Sequence, residues 1–207
     1  MLKRRVGEIA LVVLLAGFSA ACGASRPYKY YDLDVSVPAP VTQAPPYAIG
    51  LLIAHVTAPQ LYRDSRLVYG SGDVQLGTYE YERWAELPAD MLQDALISAL
   101  RGTGQYRSVT RIGSSARGDY VVRSQLFSLY GVDRPNIMAR FSMEVELFDP
   151  KSGTTVWRDT YSHDEAVQGK SVADVVEALD RNVRSGMQQF ATNLGQYFAN
   201  HLPQPAR

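Results

Sequence analysis

Residues 136–148 read NIMARFSMEVELF, and this stretch carries the clearest pattern in the chain. Ile137, Ala139, Phe141, Met143, Val145 and Leu147 fall on one side of an extended backbone, and Arg140, Ser142, Glu144 and Glu146 on the other. Successive side chains of a strand point to opposite faces, so the stretch predicts a strand with one face in a core and one in water. DPKSG follows at 149–153, where Asp, Pro and Gly suit a tight reversal. Thr154–Ala166 then reads as the returning partner, which predicts consecutive antiparallel strands in meander fashion.

Working outward, Tyr120–Tyr130 reads as a strand mixed on both faces, Tyr106–Ile112 as another, and 116–119 as a turn. Ala48–Val56 (AIGLLIAHV) is almost wholly apolar, which fits a central strand covered on both faces. Tyr30–Val37 alternates, with Tyr31, Leu33, Val35 and Val37 on the buried side, and Pro38, Pro40, Pro45 and Pro46 make the connection after it irregular. Leu67–Tyr69 and Val74–Arg83 read as strands split by Gly70-Ser71-Gly72-Asp73. Pro88 suits a first helical position and Asp90 the first turn. Met91, Leu92, Ala95, Leu96, Ala99 and Leu100 form one apolar stripe, which Gly102 and Gly104 end. Ser171 with Asp174 resembles a capping box, with Asp in the usual place of Glu. A long helix toward His201 follows, buried along Val172, Val175, Val176, Leu179, Val183, Met187, Phe190, Leu194 and Phe198, with Gly186 and Gly195 expected to bend or shorten it. The expected fold is α+β: an antiparallel-rich sheet of about seven strands, with two helices packed on one face and the C-terminal helix long.

The N-terminus reads as an export signal. Lys3, Arg4 and Arg5 precede the uncharged run Ile9–Phe18, and Ser19, Ala20 and Ala21 are small. The apolar run is too short to span the roughly 30 Å hydrocarbon layer as a helix. Cys22, the only cysteine, stands directly after the small residues, the position at which bacterial lipoproteins are cut and acylated. Cleavage that leaves a free thiol, or an uncleaved anchor, is the other reading. Gly23 replaces the Asp that favours inner-membrane retention, so the expected location is the periplasmic face of the outer membrane. The expected organisation is a signal peptide at 1–21, a lipidated tether at 22–29, one domain at 30–202 and a tail at 203–207.

The 207 residues carry 21 basic and 21 acidic side chains, so no basic footprint for nucleic acid exists. A single cysteine leaves no disulfide, and the core rests on packing, with 46% apolar residues and 13 tyrosines. His55, His163 and His201 lack metal-ligand spacing. Gly70-Ser71-Gly72 lacks the rest of a phosphate loop, and no nucleophile elbow occurs. The expectation is a protein that is not an enzyme, with no catalytic residues, cofactor or metal. Tyr69, Tyr79, Tyr81 and Trp84 cluster in one hairpin region. Tyr79, Tyr81 and Trp84 are the candidate partner-binding residues, because large amphipathic rings are common at interfaces; packing of the sheet edge is the other reading.

YYDLDVSVP soon after the cysteine, HVTAPQLYRDSRLVY, and YEYERWAELPADMLQDAL together resemble the ABC-type transport auxiliary lipoprotein family. DYVVRSQLFSLY, the DPKSG hairpin and the final helix extend the resemblance over nearly all of residues 28–198. That family includes the lipoprotein component of the paraquat-inducible system. The resemblance implies an accessory of an MCE-type lipid transport system, for phospholipids, sterols or organic solvents. It implies partnership with an MCE-domain protein and with an ABC permease and ATPase. It further implies a docking role at the outer membrane, through the N-terminal lipid and with self-association allowed. A structural or assembly lipoprotein of the envelope, outside transport, is the alternative.

Overall fold

The computed structural model describes residues 26–34, 46–71, 74–113, 117–133 and 136–201. The expected signal peptide, Cys22, Val35, Val37, Pro38, Pro40, Pro45, Gly72, Asp73, Ala116 and the tail at 203–207 lie outside the described residues. Along the chain run β1 (Lys29–Tyr31), β2 (Tyr47–Ile53), a 3-10 turn (Gln60–Tyr62), β3 (Arg66–Ser71), β4 (Gln75–Trp84) and α1 (Pro88–Gly102). β5 (Tyr106–Arg111), β6 (Tyr120–Asp133), β7 (Met138–Asp149), β8 (Thr154–Ala166) and α2 (Val172–His201) follow.

The strand read most clearly from sequence is β7. Its predicted inward residues are buried, with Ala139, Phe141, Met143 and Leu147 at 0% exposure. β7 pairs antiparallel with β6 on one side and β8 on the other, as the meander reading expects. The sheet as a whole differs from the expectation. Among the described residues it has eight strands and is mixed: the antiparallel pairings of β3 with β4, β6 with β7 and β7 with β8 make up most of the ladder, and parallel pairings the rest. β1 with β4, β2 with β5, β2 with β6 and β3 with β6 are all parallel. Parallel neighbours need a long connection, and the alternation of a strand is blind to the direction of the strand beside it.

β6 explains the mixture. One edge pairs with β7 from Val121↔Phe148 to Val132↔Met138. The other edge is divided between two strands. β2 occupies its start, from Leu51↔Tyr120 to Ile53↔Val122, and β3 occupies its end, from Tyr69↔Gly131 to Ser71↔Asp133. The chain between them keeps to the same edge. Thr57 bridges Gln125, and the Leu129 N–H donates to the Tyr62 hydroxyl oxygen at 3.1 Å. That phenol is buried, and burial pushes its pKa up to about 12.

Both helices contribute to one core. Leu92, Leu96 and Leu100 of α1 meet Leu51, Ile53 and Val109 of the strands, and Leu179, Met187, Phe190 and Phe198 of α2 join the same cluster. Pro88 opens α1, and Gly104 follows its end with φ 64°, a conformation that glycine adopts without steric cost. The expected cap of α2 is present. The Ser171 N–H and hydroxyl both donate to Asp174 Oδ2, at 2.8 and 2.7 Å, and the Asp174 N–H donates back to Ser171 Oγ at 3.2 Å. These bonds hold the Asp174 carboxyl below its ordinary pKa. α2 runs 30 residues, about 45 Å, without the interruption that its glycines suggested. The sheet takes up the missing side chain instead. A Cβ at Gly186 would lie 2.8 Å from Phe141 and 2.9 Å from Tyr161.

Asn182 fastens this helix to the sheet. It is fully buried. Its amide donates to the carbonyls of Ala139 and His163, each at 2.9 Å, and its oxygen accepts from the Tyr161 hydroxyl at 2.8 Å. Removing the amide leaves the half-buried Tyr161 phenol and two strand carbonyls each short of a partner. Asn182→Ala is expected to lower unfolding free energy by about 3 kcal/mol in denaturant titration. Gly186→Ala is expected to destabilise as well, against its favourable helix propensity, because both rings must move.

Candidate interaction sites

The sheet ends at β1, which lies on β4 in the register Lys29↔Glu82, Tyr30↔Arg83 and Tyr31↔Trp84. Glu82 is only 6% exposed, and a carboxylate removed from water requires partners. β1 and the residues before it supply them. The Tyr31 hydroxyl donates to Oε2 at 2.8 Å, Lys29 Nζ stands 3.3 Å from Oε1, and Arg26 stands 3.9 Å from the same oxygen. Desolvation, then the bond to the carboxylate, pushes the Tyr31 phenol up to about 12. Rings and guanidinium groups interleave around this charge. Tyr28 and Tyr81 meet at 5.9 Å between centroids, Arg26 lies over Tyr81 at 5.3 Å, and Arg83 lies over Tyr28 at 4.6 Å.

A second aromatic pair sits farther along the same hairpin. Tyr69 and Tyr79 meet at 4.9 Å, and a Cβ at Gly77 would lie 2.6 Å from the Tyr69 ring. The two rings border a depression of about 340 Å³ with Gly131, Ile137, Val172 and Val175, at the start of α2. A second hollow, of about 400 Å³, runs between α1 and α2. Leu33, Ala95, Ala99, Val183, Met187 and Ala191 line it, and Arg184 bridges Asp34 and Asp180 at one end. On the other side of β6–β8, Arg140 grips Asp164 through two bonds of 2.6 Å beside Ser128, Ser142 and Ser162.

The three expected partner residues do not form one surface. Trp84 is 1% exposed and belongs to the core. The pleat sets it opposite Tyr81, since the two differ by an odd number of positions. Tyr81 is half-buried under Arg26 and against Tyr28. Tyr79 is half-buried against Tyr69, and the register of β3 on β4 shifts between these positions. Expected lipidation at Cys22 falls outside the described residues. The Glu82 cluster escaped sequence reading. Its signal was the spacing of Glu82 in YEYERW, two positions from Trp84 and therefore on the same side of the pleat. The histidines lie apart: His55 is 3.6 Å from Asp90, His163 is 3.7 Å from Glu165, and His201 stacks on Tyr197. Among the described residues, no three His, Cys, Asp or Glu side chains gather where a metal ion could be held, and no helix is long and apolar enough to cross a membrane.

An eight-stranded mixed sheet with two helices over a shared core defines the class. The chain belongs to the family of the ABC-type transport auxiliary lipoprotein component, whose model matches residues 31–191. Among solved structures it is similar to a Xanthomonas campestris protein of the DUF330 family, with 19% identity and TM-score 0.71, over 83% of this chain and 99% of that one. It is also similar to an uncharacterized protein with 14% identity and TM-score 0.63, over 82% and 99%. A hypothetical protein from Chlamydia trachomatis aligns with 9% identity and TM-score 0.54, over 74% and 100%. At these identities the structural likeness concerns the fold. No curated protein sequence matches the chain.

Tyr31 and Tyr62 both hold their protons more tightly folded than unfolded. A raised folded pKa contributes stability that is complete below the unfolded value of 10.0 and is lost as pH rises toward about 12. Stability is therefore expected to fall over that window. Tyr31→Phe combined with Tyr62→Phe should flatten the fall, as read by denaturant midpoints measured at stepped alkaline pH.

Proposed function

We propose that this protein is a lipid-anchored periplasmic auxiliary of an ABC/MCE-type lipid transport system, and that it docks the MCE component to the outer membrane. The family match over residues 31–191 carries this reading. The lipoprotein signal ending at Cys22 supports it, since acyl chains would confine the domain to two dimensions. Confinement raises effective concentration, so a modest contact suffices to hold a partner. The role is mechanical and not catalytic. The Tyr69–Tyr79 depression is the contact site best suited to the partner, with the exposed Tyr69 ring and the half-buried Tyr79 ring beside Ile137, Val172 and Val175. The phospholipid, sterol or organic solvent moved is the partner's cargo.

In-cell crosslinking of the full-length chain, followed by mass spectrometry of what is captured, tests the proposal. An MCE-domain protein or its ABC permease is expected, reduced several-fold by Cys22→Ala and by Tyr69→Ala. Recovery of envelope-assembly proteins alone would replace the transport reading with that of an assembly lipoprotein.

A further inference from the structure

We infer that the β1–β4 edge is a membrane-facing surface, laid on the phospholipid headgroup layer that holds the anchor. The inference rests on the lipid-anchor reading and adds an orientation to it. Only Gly23, Ala24 and Ser25 separate Cys22 from Arg26. Even fully extended, that connection reaches about 14 Å. An acylated Cys22 therefore keeps Arg26 within the headgroup region or just above it.

What the protein presents there suits such a layer. Tyr28 is 51% and Tyr30 62% exposed, the two most exposed aromatic rings among the described residues. Tyrosine is favoured at the membrane–water boundary, where its ring enters the apolar side and its hydroxyl stays wet. The side chains of Arg26 and Lys29 are 64% and 59% exposed. The acid beneath them, Glu82, is turned into the protein and held by Tyr31, so it does not meet the headgroup phosphates. Glu80 bonds the Tyr81 hydroxyl, and Asp64 is paired with Arg66 and Arg83. With Asp32 directly after β1, four cations face four carboxylates at this edge, so the rings and not a net charge carry the adhesion. Arg83 over Tyr28 and Arg26 over Tyr81 hold the rings in place before contact, which lowers the ordering cost of adsorption.

A protein partner at this edge would have to enter the space beneath the domain within the reach of the tether. The Tyr69–Tyr79 depression lies farther along the hairpin from the anchored strand. The membrane and the partner thus use different ends of one hairpin.

The test uses the full lipidated chain in vesicles of phosphatidylethanolamine and phosphatidylglycerol. Acylation blocks the Cys22 thiol, so one introduced cysteine can carry a polarity-sensitive fluorophore. Tyr30→Cys is compared with Ile112→Cys, which is 50% exposed and sits just beyond β5, at the opposite end of the strand path from β1. Headgroup-bound spin-labelled lipid should quench the probe at 30 several-fold more than at 112. The double variant Tyr28→Ser, Tyr30→Ser, labelled at Ile112→Cys, should float with the vesicles and show quenching at 112 that rises toward random orientation. Equal quenching at 30 and 112 in vesicles that carry the protein overturns the orientation and leaves the anchor standing. Failure of the protein to float overturns the anchor reading, and this inference with it.

Discussion

The hydrogen-bonding of β6 on both edges is the constraint from which the rest of the architecture follows. A strand in mid-sheet must satisfy every N–H and C=O on two sides. β7 satisfies one side along nearly its whole length. The other side is satisfied in pieces, by β2, by the single bridge at Thr57, by the Tyr62 hydroxyl and by β3. The segment from Tyr47 to Ser71 therefore runs as one interrupted companion of β6. That forces β2 and β3 into one parallel direction and places β5 at one end of the shared edge and the β3–β4 hairpin at the other.

Each contact site inherits its place from this arrangement. The hairpin projects from one end of β6, far enough past α2 that Tyr69 and Tyr79 border the start of the helix and are not covered by it. β1 adds to the outer edge of β4 and brings the N-terminal tether there. Glu82 favours that addition, because among the described residues its partners Tyr31, Lys29 and Arg26 come from β1 and the stretch just before it. An acid inside a strand thus acts as a register pin, a use of buried charge that favours specificity over stability. Asn182 plays the same part for α2, tying the buried face of the helix to two named carbonyls.

Much of this was legible locally. The inward faces of β7 and α2, the cap at Ser171, the stop at Gly104 and the start at Pro88 all follow from patterns a few residues long. The candidate surface was only partly legible. Tyr81 and Tyr79 are at or near the surface, but Trp84 is core, and a cluster of rings in sequence says nothing about which side of the pleat each takes once the register shifts.

By itself the sequence determined where the chain extends and where it coils, which side of each element is apolar, and the family to which the whole belongs, because period, capping and composition are local properties. The tertiary structure alone decided which strands are neighbours, that four of their pairings are parallel, and that Glu82 and Asn182 are buried and satisfied. Those outcomes depend on hydrogen bonds and desolvation between residues as far apart as Tyr31 and Glu82 or Ala139 and Asn182, and no local pattern encodes which distant group completes a buried one.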